Sequence, residues 1–138
     1  MNIFMKKHFL FALSILVSSF FFANTSSAAT LPGVSTGGAS WVFTTSVDFG
    51  ITVTSLGGDP SVTLGVQYGT TTSYGATVSG GTMTAPGSVR ARAGHGVLAC
   101  NTTYHYRAFA TNSAGTKYGS DATVTTNPCV AGTFPSVT

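Results

Sequence analysis

From residue 47 onward the chain alternates apolar and polar residues with a period of two, and glycine-rich breaks cut that alternation into short runs. Val47, Phe49, Ile51 and Val53 alternate with Asp48, Gly50, Thr52 and Thr54, and Val62, Leu64, Val66 and Tyr68 do the same against Thr63, Gly65, Gln67 and Gly69. Successive side chains of a strand point to opposite faces, so each run builds a strand with one buried side and cannot make a helix face. Gly57-Gly58-Asp59-Pro60 punctuates the two runs as a turn does. A weaker run begins with Tyr74, Ala76 and Val78 and ends at Gly80-Gly81, and Val89, Ala91 and Ala93 alternate with Arg90 and Arg92. Tyr104, Tyr106, Ala108 and Ala110 face one way, with His105, Arg107, Phe109 and Thr111 facing the other. Asn112-Ser113-Ala114-Gly115 turns the chain, and Tyr118–Thr126 returns as the last strand. No stretch sustains a helical period. Short strands at this spacing imply an all-β fold, an antiparallel sandwich.

The N-terminus follows a different pattern. Lys6, Lys7 and His8 precede an apolar run over Phe9–Phe22, and the polar Asn24-Thr25-Ser26-Ser27 leads to Ala28-Ala29. That order is a signal peptide over residues 1–29, with the mature chain starting near Thr30. The run of about 14 apolar residues is shorter than the roughly 20 that span a bilayer. The expectation is therefore export to the periplasm, the cell surface or the medium, with no membrane span after cleavage.

Removing the leader removes most of the net positive charge. Arg90, Arg92, Arg107 and Lys117 then stand against Asp48, Asp59 and Asp121, leaving a single excess positive charge. No basic stripe remains to neutralise phosphates, which argues against nucleic acid as a partner. Both cysteines, Cys100 and Cys129, fall in the mature part, and an even count in an exported chain favours a disulfide over a metal site or reactive thiol.

The stretch from Leu98 to Thr126, LACNTTYHYRAFATNSAGTKYGSDATVTT, resembles a fibronectin type III domain, and Tyr68-Gly69-Thr70-Thr71-Thr72-Ser73-Tyr74-Gly75 resembles a segment of the bacterial variety. The resemblance spans residues 34–126. It implies a seven-stranded immunoglobulin-like sandwich over residues 30–129. It also implies a tyrosine corner, in which Tyr104, six residues after Leu98, bonds back to the preceding turn. Cys100 stands where the family usually has proline. The antiparallel return of the last strand then brings Cys129 beside it.

Residues 130–138 are expected to be a tail resembling the start of a further repeat. Thr133-Phe134-Pro135-Ser136-Val137-Thr138 resembles Thr30-Leu31-Pro32-Gly33-Val34-Ser35, about one domain length earlier. Such a segment offers self-association by strand addition through residues 133–138.

Residues able to do chemistry are scarce. The mature part has no glutamate, and His95 and His105 are its only candidate general bases. Neither has a metal-ligand spacing or a nucleophile motif beside it. The expectation is no catalytic residue, no metal and no cofactor. Arg107 and Asp121 are expected to form a cross-strand ion pair, and Arg90 and Arg92 to be solvated edge charges that discourage strand stacking. Asn101-Thr102-Thr103 has the form of a glycosylation sequon but falls inside the corner.

Aromatic residues carry what functional signal there is. Phe49, Tyr68, Tyr104 and Tyr106 have core phase, whereas Trp41, Tyr74, Phe109 and Tyr118 are harder to bury and are the candidate ligand contacts. Two roles fit. One is a non-catalytic, adhesin-like interaction or spacer module that meets a protein or a cell-surface glycan. The other is a carbohydrate-binding accessory module of a secreted polysaccharide-degrading system, or a fragment of a tandem-repeat surface protein.

Overall fold

The computed structural model describes residues 27–130. The expected signal peptide as far as Ser26, and the expected tail from residue 131 on, lie outside the described residues. Eight strands follow one another: β1 (Gly33–Ser40), β2 (Val47–Ser55), β3 (Val62–Gly69), β4 (Ala76–Met83), β5 (Gly87–Ala93), β6 (Thr103–Asn112), β7 (Gly115–Tyr118) and β8 (Ala122–Thr125). They form one sheet in the order β1-β2-β5 and a second in the order β4-β3-β6-β7, with β8 also paired to β6, all antiparallel.

The period-two runs become the core. Val47, Phe49, Ile51 and Val53 of the first sheet are buried together with Leu64, Val66, Tyr68, Tyr106, Ala108 and Ala110 of the second. Phe49 sits between Tyr68 and Tyr106, with ring centroids 5.5 and 4.8 Å away. Small Ala108 and Ala110 leave room for these rings, so large and small side chains interdigitate between the layers.

β1 carries little apolar signal, and two glycines let it approach β2. A Cβ at Gly37 would lie 3.0 Å from the backbone carbonyl carbon of Gly50, which is also its register partner. The last strand is broken where the sequence reads as one piece. β7 pairs with β6 as far as Phe109↔Tyr118, and β8 begins at Tyr106↔Ala122, so Arg107 and Ala108 face a bulge of three residues, Gly119–Asp121. Thr36 of β1 fills the missing rung. Its Oγ1 accepts the Ala108 N–H at 3.0 Å and donates to the Ser120 carbonyl at 2.6 Å. Tyr106 Oη donates to the Gly37 carbonyl at 3.1 Å. These bonds join β1 to the second sheet along one side of the sandwich.

Candidate functional site

Three segments meet at one end of the sandwich: the β1–β2 loop (41–46), the β5–β6 loop (94–102) and the chain leaving β8 (126–130). The tyrosine corner organises them. Leu98 is buried, and Ala99 N–H donates to Tyr104 Oη at 2.9 Å. Cys100 and Cys129 are disulfide-bonded, with Cα atoms 5.1 Å apart. Buried Thr126 gives its N–H to the Thr102 carbonyl, its hydroxyl to the Ala99 carbonyl, and accepts the Thr102 N–H. The β1–β2 loop is tied in by Asn127, whose N–H reaches the Phe43 carbonyl and whose side chain reaches that of Val42. Leu98 N–H adds a bond to the Thr45 carbonyl.

This well-tied end presents apolar surface. Trp41 is 66% exposed, Phe43 and Val97 are exposed, and Val130 is 86% exposed. The Phe43 ring lies 6.1 Å from that of His95. The three segments contain no Asp, Glu, Lys or Arg. Trp41 also has a φ of 47°, in the left-handed region that costs an L-residue roughly 1–2 kcal/mol. A bulky aromatic held out to water on an unfavourable backbone is a feature that folding alone does not reward.

Tyr74, Phe109 and Tyr118 come together elsewhere, on the outer face of the second sheet. Arg107 is stacked between two of them, its Cζ 4.6 Å from the Tyr74 ring centre and 4.1 Å from that of Tyr118. Its Nε and Nη2 both donate to Gln67 Oε1, at 3.0 and 2.9 Å. Tyr74 Oη donates to Asp121 Oδ1 at 2.9 Å, and His105 Nδ1 lies 2.8 Å from Asp121 Oδ2. The His105 bond is the main reason the Asp121 carboxyl sits below its usual range. Burial, then the bond to Asp121, raises the Tyr74 hydroxyl. Phe109 does something the sequence did not reveal. It lies opposite Gly65, where a Cβ would stand 2.5 Å from its ring, so the ring covers bare glycine backbone. In sequence these aromatics are separate; the contacts of Arg107 with Tyr74 and Tyr118, and of Phe109 with Tyr118, show that the three share a face and that Trp41 is apart from them.

Two electrostatic expectations are corrected. Arg107 makes no ion pair with Asp121, because the bulge at 119–121 leaves no rung opposite Arg107 and turns Asp121 towards His105. Arg92 is not simply solvated. It binds Asp48 through both nitrogens Nε and Nη2, the latter at 2.9 Å, and this bond holds the buried Asp48 carboxyl below its usual range despite desolvation. Arg90 hydrogen-bonds Ser40 Oγ. β5 is nevertheless an edge strand, paired only with β2.

A shallow groove of about 370 Å³ lies on the first sheet, lined by Gly37, Gly50, Thr52, Ser88 and Arg90 among others. The outward-facing glycines that make it were visible in sequence but had no functional reading. Among the described residues, no group of three or more His, Cys, Asp or Glu is placed to hold a metal ion.

No family model matches the chain, and no curated protein matches it. Solved structures do. The sensor domain of the anti-sigma factor RsgI4 of Pseudobacteroides cellulosolvens is similar with a TM-score of 0.54 at 17% identity, over 74% of this chain and 100% of that one. The solution structure of the same sensor domain gives 0.52 at 18% identity, over 70% and 76%. A human fibronectin type III domain from the KIAA0970 protein gives 0.50 at 15% identity, over 70% and 74%. Identities this low speak to fold alone. The chain has a fibronectin type III-like fold.

Proposed function

We propose that this chain is an exported, non-catalytic interaction module of adhesin-like type, which meets its partner through the disulfide-tied end of the sandwich. The exposure of Trp41 on a left-handed backbone position carries the reading. Tryptophan is enriched among residues that dominate binding energy, and rigid presentation lowers the entropy lost on contact. The absence of formal charge in the three segments removes a desolvation penalty from that contact. A disulfide fits an oxidising compartment and therefore export. A solved domain of similar fold is the sensor domain of an anti-sigma factor, which supports the reading at the level of fold only.

The test is saturable binding of the oxidised mature protein to immobilised cell-surface proteins and, in parallel, to defined neutral glycans. Trp41→Asn is the informative variant, because asparagine tolerates the left-handed conformation. The expected result is loss of binding to the protein surfaces with the melting temperature unchanged or raised. Trp41-dependent binding confined to glycans would assign the carbohydrate-binding role instead. Binding that survives the substitution would place the contact elsewhere.

A further inference from the structure

On the outer face of the second sheet, the guanidinium of Arg107 is fixed on three sides and unused on a fourth. Tyr74 and Tyr118 stack at 4.6 and 4.1 Å from its Cζ, and Gln67 Oε1 takes the side-on edge formed by Nε and Nη2. The end-on edge, one N–H from each of Nη1 and Nη2, has no hydrogen-bond partner among the described residues. An arginine usually loses side-chain freedom when it binds an anion; here that ordering has already taken place on folding. Parallel N–H groups in a fixed plane match the two oxygens of a carboxylate, which lies in the guanidinium plane.

We propose that the end-on edge of Arg107, framed by Tyr74 and Tyr118, is a docking site for carboxylate side chains of an acidic peptide segment. This site is separate from the Trp41 end and does not depend on it. A tetrahedral oxyanion can also set two oxygens in that plane but carries others out of it, so the planar carboxylate is the closer match. One face of each tyrosine is already covered by Arg107, which leaves less aromatic surface for a sugar ring and favours peptide over uronate polymer. Asp121 opposes binding, since its charge is close enough to act on Arg107. Both of its oxygens are engaged by Tyr74 and His105, and its exposure lets solvent screen it.

The probe is poly-L-glutamate, titrated by calorimetry into the oxidised mature protein at low ionic strength, with polygalacturonate in a parallel arm. Arg107→Lys keeps the charge and loses the fork, and is expected to weaken poly-L-glutamate binding by roughly tenfold. Asp121→Asn keeps an acceptor for Tyr74 and is expected to strengthen it several-fold. Trp41→Asn is expected to leave it unchanged, which separates this site from the other surface. Melting curves on the same samples identify a merely structural stack, which would alter stability and leave affinity alone. Equal affinity in wild type and Arg107→Lys, weaker binding in Asp121→Asn, preference for polygalacturonate, or no binding of either polymer would each overturn the proposal.

Discussion

Thr36 Oγ1 stands in for a strand where β7 and β8 part, so Thr36→Val would leave the Ala108 N–H unpaired. A loss of about 1–3 kcal/mol is expected in urea unfolding. Gly65→Ala would drive a Cβ into the Phe109 ring at 2.5 Å and towards the Val78 carbonyl at 2.8 Å. Overpacking of this kind is expected to cost about 1–3 kcal/mol, read from the same curves. Asp48 sets an acid limit. Its folded-state pKa is depressed, mainly by the Arg92 bond, so its contribution is complete above the unfolded value of about 3.9 and is lost as pH falls below that value. Melting temperatures measured between pH 7 and pH 2 should fall at the acid end, and Asp48→Asn should flatten that fall. Asp121 acts in the same direction but is exposed, so its share is smaller.

At the scale of elements, the alternating runs were readable because one face of each is fully buried. β2, β3 and β6 lie where the period of two placed them, and their inward residues form the core. β1 was not readable in this way: Gly33, Gly37 and Gly38 dilute its apolar signal, and close approach to β2 rather than side-chain burial fixes it. The break between β7 and β8 was missed although Gly119-Ser120-Asp121 is a run of turn-forming residues; the hydroxyl of distant Thr36 that bridges it has no local signal. The Arg107–Asp121 expectation failed for that reason. The loop end was legible at the corner, where Leu98, Tyr104 and the cysteines have fixed spacings. At Trp41 the sequence pointed to an aromatic that is hard to bury, and the structure adds the left-handed backbone that carries the exposed ring. The disulfide spans a separation of 29 residues. Replacing both cysteines with alanine is expected to lower stability by roughly 3–4 kcal/mol, shown as a reduced urea midpoint with a steeper slope, because the unfolded chain is no longer held compact.

For the molecule as a whole, the two sheets leave open edges at β4 and β5, each paired on one side. Residues 30–35 supply the start of β1, with Pro32 buried and Val34 packed on the core. The similar segment at 133–138 is proposed to add to an open edge of a second copy. Sedimentation of the oxidised mature protein is expected to show assembly that disappears when those residues are deleted; a monomer in both forms would remove the idea. The tied end is apolar and its three segments carry no Asp, Glu, Lys or Arg, and it is the proposed contact surface. Trp41 is the sole tryptophan of the chain, so its emission, excited selectively over that of the five tyrosines, reports on that end alone. The decisive measurement is iodide quenching of that fluorescence with and without a bound partner. Red-shifted, readily quenched emission is expected in the free protein, and blue-shifted, protected emission in the complex. Emission that stays equally quenchable when a partner is bound would contradict the proposed contact.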